Sequence, residues 1–115
     1  MPKRTDIKSV KLNEEVLAKA GLKHFRFLDA ISELPFVEVI YLFGSRARGD
    51  AHEKSDIDLA IVCPSADIKD WLTVQEMLEN APVLNQIDVV RYDTLKDGLF
   101  KRKIDEDKKV LYAKD

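Results

Sequence analysis

The segment from Tyr41 to Val62, YLFGSRARGDAHEKSDIDLAIV, constrains the fold more than any other part of the chain. Residues 37–43 are apolar apart from Glu38, and residues 57–63 are apolar apart from Asp58. Runs of this length and composition predict two buried β-strands. Gly44 ends the first run, because glycine permits a tight turn and a close approach of the backbone to a ligand.

The second run opens with two aspartates at alternate positions, Asp56 and Asp58. Side chains alternate between the faces of a strand, so both carboxylates lie on one face, with their Cα atoms roughly 6.6 Å apart. No basic residue stands between them to offset their repulsion. A divalent cation such as Mg²⁺ would offset it, because Mg²⁺ takes oxygen ligands from carboxylates and leaves other positions to water and phosphate.

A phosphate-binding turn is predicted next to this metal site. The amides of Ser45 and the residues after it would open a short helix, and a helix N-terminus attracts phosphate. Each feature alone is ordinary, since Gly-Ser forms turns and Asp-x-Asp forms Asx-turns or helix caps. Their order along two strands favours a nucleotide site, and the Gly-Lys-Ser/Thr of a Walker A loop is missing.

These residues resemble the signature of the DNA polymerase beta-like nucleotidyltransferase superfamily. In that signature, Gly-Ser is followed by a second glycine and, after a short loop, by Asp-x-Asp. The matching residues here are Gly44, Ser45, Gly49, Asp56 and Asp58. The longer form GSRARGDAHEKSDIDLAI is similar to the minimal nucleotidyltransferase (MNT) group, whose members commonly form toxin and antitoxin pairs with a HEPN protein.

The resemblance implies a metal-dependent transfer of a nucleotide. Asp56 and Asp58 would hold two Mg²⁺ ions, which lie roughly 3.5 to 4 Å apart in two-metal sites. Asp88 matches the third acidic residue that superfamily members carry on a neighbouring strand. It would bind the catalytic metal and help to deprotonate the acceptor hydroxyl.

The resemblance also implies which residues bind the triphosphate of ATP. Gly44 and Ser45 would cradle the β- and γ-phosphates, and Arg46 and Ser55 are further candidates for nucleotide contacts. Other cations of the loop, among them Arg48, are candidates for contacts with triphosphate or with a partner.

Asp88 also attracts attention without the resemblance, because it is the only carboxylate in the predicted strand of residues 86–92. A carboxylate buried between Ile87 and Val89 is costly unless it is paired, hydrogen-bonded or bound to a metal. Asp93 is a weaker candidate, because capping of the next helix explains an aspartate beside Thr94.

The remaining pattern predicts helices around these strands. A helix starting near Asn13 is interrupted at Gly21, and an apolar stripe continues in helical spacing over residues 22–34. A crossover helix is predicted after residues 64–67, and another helix over residues 95–107. Residues 110–112 form an edge strand or dock against the core. We therefore predict an α/β (α+β) fold, a small mixed sheet with helices packed mainly on one face.

Composition excludes several classes of protein. With 115 residues, 45% of them hydrophobic, the chain suits one domain, residues 1–115, a minimal nucleotidyltransferase domain by its resemblance. A net charge of −2 argues against a protein that coats nucleic acid. The single cysteine, Cys63, excludes an internal disulfide. The basic segment Met1–Ser9 is followed by no apolar stretch that could anchor it, so we expect a cytoplasmic protein without membrane contact.

The expected function needs a second protein. Only about two dozen residues follow the third strand, so the acceptor is expected to be held by a partner or to be the partner. The MNT resemblance implies a HEPN partner and transfer of AMP from ATP to a hydroxyl, with tyrosine as the expected acceptor. Two alternatives stay open: an antitoxin that binds without catalysis, and a nucleotidyltransferase of small molecules. Self-association stays open too.

Overall fold

The computed structural model describes residues 12–114, so the segment Met1–Ser9 lies outside the described residues. The strands are β1 (Val39–Phe43), β2 (Ile57–Val62), β3 (Ile87–Arg91) and β4 (Lys109–Ala113). The α-helices are α1 (Glu14–Lys19), α2 (Phe27–Ser32), α3 (Ser45–Arg48), α4 (Ile68–Glu79) and α5 (Leu99–Asp107). None of the helices within residues 12–114 combines the length and apolar character of a membrane span.

The four strands form one mixed sheet in the order β3-β2-β1-β4. β1 runs antiparallel to both β2 and β4, and β2 runs parallel to β3. The register places Phe43 opposite Asp58 and Asp58 beside Asp88. These three side chains therefore form a row across the sheet on one face. The prediction of a small mixed α/β sheet is confirmed.

The opposite face of the sheet carries the hydrophobic core. Fully buried residues of β1 and β2, such as Leu42 and Leu59, pack there against apolar side chains of three helices. The helical residues buried in this cluster are Leu17 of α1, Leu28 and Ile31 of α2, and Val74 and Leu78 of α4. α5 lies on the other side, where Phe100 contacts Phe43 edge-on with ring centroids 6.3 Å apart. The helices thus cover mainly one face, as predicted.

The two ends of α1 are determined by capping residues. The Asn13 side chain accepts a hydrogen bond from the Val16 amide, which caps α1. At the other end the Leu22 amide bonds to Leu17 O and the Gly21 amide to Ala18 O, the pattern of a Schellman motif around a left-handed glycine. Helix α1 ends there and residues 22–26 are not helical, so the predicted helical stripe over residues 22–34 is helical only in α2.

The crossover helix α4 is confirmed and begins with a capping box. The Asp67 side chain accepts from the Asp70 amide at 2.8 Å, and the Asp70 side chain accepts from the Asp67 amide at 3.1 Å. The helix returns the chain to β3, which lies parallel to β2 as a helical crossover allows. Trp71 packs partly buried against the core, as its apolar spacing predicts.

The C-terminal elements differ in detail from the prediction. Residues Tyr92–Thr94 form a 3-10 helix, and Leu95 is extended, so α5 begins four residues later than expected, at Leu99. Residues 95–98, with a bend at 97 and 98, carry the chain to the start of α5. Residues 110–112 belong to β4, which pairs with β1 at the edge of the sheet. Both alternatives are therefore confirmed, because this edge strand also packs Leu111 and Tyr112 into the core cluster.

Candidate active site

Gly44 adopts a backbone conformation that is almost exclusive to glycine. Its φ of 75° and ψ of −157° belong to a region that other residues enter only with strain. A Cβ atom at this position would also collide with Asp58 Oδ2. The collision follows from the register, because Phe43 stands opposite Asp58 and Gly44 is the next residue. The glycine turn and the half-buried carboxylate of Asp58 are therefore in direct apposition.

The residues after Gly44 form one helical turn between two glycines. The amides of Ala47 and Arg48 both donate to Gly44 O, at 3.1 and 3.0 Å. Gly49 ends the turn in the left-handed conformation, with φ of 92°, and its amide donates to Ser45 O at 2.9 Å. The spacing of the two glycines in the sequence motif thus equals the length of α3. Ser45 stands at the first position of this turn, directly after the glycine.

The three predicted acidic residues converge on the open face of the sheet. Asp58 of β2 lies directly beside Asp88 of β3, and Asp56 precedes Asp58 by two residues. Burial of Asp58 raises the pKa of its carboxyl to about 6, and the charges of Asp88 and Asp56 and a hydrogen bond with Asp88 act in the same direction. The Arg48 charge opposes this shift. The structure thus brings the three carboxylates within electrostatic reach of one another.

The Asp58 and Asp88 pair suits an oxygen-preferring cation, because Mg²⁺ takes only one or two carboxylates and fills its other positions with water and phosphate. Within residues 12–114, no group of three or more His, Cys, Asp or Glu side chains is placed so that it could hold a metal ion. Asp58 and Asp88 lie side by side on adjacent strands, and their mutual repulsion contributes to the raised pKa of Asp58. A divalent cation beside them would offset that repulsion with oxygen ligands from both carboxylates. The Gln86 side chain donates to Asp88 Oδ1 at 2.8 Å and so orients this carboxylate.

Two residues expected to contact the nucleotide have their side chains engaged elsewhere. Arg46 is only 6% exposed, and its guanidinium donates to backbone carbonyls rather than facing solvent. The Ser55 hydroxyl accepts from the His52 amide at 2.9 Å. Both side chains hold the loop between α3 and β2, because their polar atoms bond to the protein itself. The Arg46 side chain thus makes structural contacts within the chain, and its contact with the nucleotide stays a prediction.

The other charged residues of the loop remain at the surface. Arg48 is exposed and forms ion pairs with Asp50 and with Asp107 of α5, each at 3.1 Å. His52 and Lys54 are exposed as well. Arg48 thereby links the end of α3 to α5 on the side of the sheet that carries the carboxylates.

Sequence reasoning assigned Asp93 to helix capping, and this is wrong. Its carboxylate accepts from the Cys63 amide at 2.8 Å and from Arg91 Nε at 3.1 Å. The Asp93 side chain is 15% exposed and ties the end of β3 to the end of β2. Asp93 is thus engaged in structural contacts, which agrees with its lower rank than Asp88 as a candidate site residue. The contacts are bonds to Cys63 and Arg91, however, and not the capping of a helix.

Two polar residues of the site region were not singled out from the sequence. Gln86 orients Asp88, and the Asn85 side chain donates to the carbonyls of Glu53 and Ser55 at 2.9 and 3.0 Å. The available signal was the polar pair directly before an apolar strand. Such a pair is typical of any strand start, so spacing alone does not identify it.

The Gly44 geometry predicts that Gly44→Ala destabilises the chain more than Gly49→Ala. Both residues have positive φ. An alanine in the left-handed conformation of Gly49 costs roughly 1–2 kcal/mol, and residues with a Cβ enter the conformation of Gly44 still less readily. A Cβ at Gly49 meets no atom within 4 Å, whereas one at Gly44 also displaces Asp58. Urea unfolding of both variants checks this. An equal or smaller loss for Gly44→Ala would show that Gly44 and Asp58 are not in apposition.

The raised pKa of Asp58 predicts a pH-dependent stability in metal-free protein. Between the ordinary pKa of 3.8 and the folded value of about 6, the folded chain binds more protons than the unfolded chain. The free energy of unfolding therefore falls as pH rises through this window. Asp58→Asn has no carboxyl at this position, so it does not lose stability in this way as pH rises. The free energy of unfolding of the variant minus that of the parent should therefore be greater at pH 7.5 than at pH 4.

Urea unfolding in EDTA at the two pH values measures this difference. Asp97→Asn is the matched control, because the Asp97 side chain is 100% exposed and the change removes one carboxylate without relieving a cluster. A difference between Asp58→Asn and the parent that is independent of pH, or greater at pH 4, would contradict the crowded environment of Asp58.

Several solved structures share this fold. A crystal structure of a toxin-antitoxin with AMP-PNP has a TM-score of 0.55 and 24% identity, over 89% of this chain and 74% of its own. A chain in the structure of a tri-AMPylated Shewanella oneidensis HEPN toxin in complex with MNT antitoxin has a TM-score of 0.51 and 20% identity, over 85% of this chain and 72% of its own. A Sulfolobus solfataricus protein described as a nucleotidyltransferase has a TM-score of 0.51 and 25% identity, over 97% of this chain and 90% of its own.

The sequence itself settles the family. No curated protein has a significant match to the chain. Residues 28–115, however, match the family described as "Polymerase beta, Nucleotidyltransferase". The match includes the glycine turn and all three carboxylates described above, and it covers most of the chain. The chain therefore belongs to the polymerase beta nucleotidyltransferase family.

Proposed function

We propose that the chain is a Mg²⁺-dependent nucleotidyltransferase that transfers AMP from ATP to a hydroxyl of a HEPN-type partner and so acts as an antitoxin. The observation that carries this proposal is the apposition of Gly44 to Asp58, with Asp88 beside Asp58 on the next strand. A turn without side chain next to crowded carboxylates provides room for phosphate beside metal ligands. Purely structural roles explain neither feature.

The solved structures support the finer part of this proposal. One is described as a toxin-antitoxin with AMP-PNP, a nucleotide analogue, and another contains a tri-AMPylated HEPN toxin with its MNT antitoxin. Our chain shares their fold and carries the GSRARGDAHEKSDIDLAI motif. We therefore infer an acceptor hydroxyl on a helical HEPN partner, with tyrosine as the first candidate. The ATP and Mg²⁺ that the reaction needs would come from the cytoplasm.

The carboxylates would hold the metal and manage the proton of the acceptor. Asp56, Asp58 and Asp88 would bind Mg²⁺, with two ions as the expected number, and the bound metal supplies positive charge to the triphosphate and the attacking oxygen. Asp88, oriented by Gln86, would accept the proton of the acceptor hydroxyl.

The glycine turn would place the triphosphate for attack. Gly44 and Ser45 would hold the β- and γ-phosphates. The acceptor oxygen then forms a bond to the α-phosphorus of ATP as the bond between that phosphorus and the bridging oxygen to the β-phosphate breaks. AMP stays on the acceptor and pyrophosphate leaves. Positioning and charge neutralisation provide most of the acceleration in this arrangement.

The proposal predicts a specific adduct on the partner. We expect that the helical protein encoded beside this chain gains the mass of AMP after incubation with ATP and Mg²⁺, and that pyrophosphate is released. ATP labelled at the α-phosphate should label the partner, whereas ATP labelled at the γ-phosphate should not. Intact-mass spectrometry and the two labels measure this, and Asp58→Asn should lose nearly all transfer.

Two results would contradict the proposal. A phosphate adduct with ADP as the product would indicate a kinase. The alternative of an antitoxin that acts by binding alone is tested in cells, because Asp58→Asn leaves the surrounding surface intact. If Asp58→Asn protects cells from the partner as well as the parent does at equal abundance, catalysis is not the mechanism of protection.

A further inference from the structure

Arg46 is a charged side chain in an environment that ordinarily excludes charge. It is 6% exposed, and burial lowers the pKa of its guanidinium. Its hydrogen bonds among the described residues all go to backbone carbonyls, and its Nε has no hydrogen-bond partner there. Burying a cation without an anion is costly, so its remaining hydrogen bonds must compensate for much of this cost.

Those hydrogen bonds converge on two segments of backbone. Nη1 donates to Ala20 O at 2.8 Å, just after α1. Nη2 donates to three carbonyls of the loop that leads into β2: those of Ser55 at 3.0 Å, Glu53 at 3.1 Å and His52 at 3.4 Å. The planar fork of an arginine allows one side chain to serve carbonyls in two segments. Arg46 therefore joins α3, which carries it, to the loop directly before Asp56.

Asn85 provides a second connection to the same loop. Its amide donates to Glu53 O and Ser55 O, two of the three loop carbonyls that Arg46 contacts. Asn85 lies just before β3, the strand that carries Asp88. A continuous set of hydrogen bonds thus runs from α3 through the loop to β3. The three segments that supply the glycine turn and the carboxylates are held in one relative position.

The chain makes room for the Arg46 side chain at Gly21. This glycine has a φ of 75°, and a Cβ atom there would lie 3.3 Å from Arg46 Nη1. The left-handed turn that ends α1 therefore also brings Ala20 O to the guanidinium without crowding it. The site for the arginine is built by residues that are distant in sequence.

We propose that Arg46, together with Asn85, is a positioning residue that sets the Gly44 and Ser45 turn relative to Asp56 and Asp58 and does not contact the nucleotide. The proposal rests on the proposed transfer of AMP. A misplacement of about 1 Å between phosphates and metal ligands can lower a rate about 10²-fold. A loosened loop would therefore reduce turnover more than nucleotide affinity.

The test compares Arg46→Lys with Arg26→Lys. Lysine keeps the charge and loses the fork. Arg26 is a matched control, because its guanidinium also forms several hydrogen bonds, to Asp29, Glu14 and Lys23 O, but at the surface and outside the loop. The first readout is amide exchange of His52 and Ser55 in metal-free and nucleotide-free protein. The second is kcat and KM for ATP in transfer to the protein encoded beside the chain.

We expect exchange at His52 and Ser55 to rise at least tenfold in Arg46→Lys, and kcat to fall about 10²-fold with KM for ATP within about threefold of the parent. Arg26→Lys should change neither. If KM rises while exchange and kcat stay at parental values, Arg46 contacts the nucleotide and the proposal is overturned. Parental values throughout would overturn it as well.

Asn85→Ala keeps the test decisive if Arg46→Lys does not fold. It removes hydrogen bonds to the same carbonyls and should give the same pattern with a smaller fall in kcat. If both variants fold, the double variant should be no worse than the more damaging single one, because the two side chains hold one loop. Independent, multiplying losses in kcat would contradict a shared role.

One outcome would contradict the proposed function and leave the positioning role of Arg46 still to be tested. If the parent transfers no AMP to its neighbour, the proposed function fails. Calorimetric Mg²⁺ binding then decides the role of Arg46. Binding weakened at least tenfold in Arg46→Lys supports positioning of the carboxylates, and binding equal to that of the parent overturns it.

Discussion

The proximity of Asp58 and Asp88 on adjacent strands is the constraint on which the site depends. The parallel register of β2 and β3 places the two carboxylates side by side, and burial together with neighbouring charge raises the pKa of Asp58 to about 6. Near neutral pH, positive charge beside such a pair offsets the repulsion between its carboxylates. The sheet thus favours positive charge at the point where Gly44 exposes backbone.

The glycine turn and the loop after it lie next to this pair of carboxylates. Gly44 has no side chain, so the backbone can lie against Asp58, and α3 begins at once. Arg46 and Asn85 both hold the loop before Asp56 through shared carbonyls. The positive charge of Arg46 is consequently bound within the protein and does not neutralise the carboxylates. That neutralisation is left to a ligand.

Much of this could be predicted from the sequence, because local patterns determine it. The strands, the turn at Gly44 and the placement of Asp56 and Asp58 follow from alternation and from a glycine at the end of an apolar run. The inward position of Arg46 could not be predicted, since Arg46 and the exposed Arg48 occupy the same short helix. Only the carbonyls of distant segments distinguish them. The role of Asp93 was missed for the same reason, because its partner, the Cys63 amide, lies thirty residues away.

The most direct test of the cation requirement is the stability of the chain with Mg²⁺ and a non-hydrolysable ATP analogue. A ligand present at about 100 times its dissociation constant adds about 2.7 kcal/mol to the free energy of unfolding. The parent and Asp97→Asn should gain this stability, whereas Asp58→Asn, which starts no less stable in EDTA at neutral pH, should gain almost none. An equal gain in Asp58→Asn would show that the carboxylates do not form the site for metal and nucleotide.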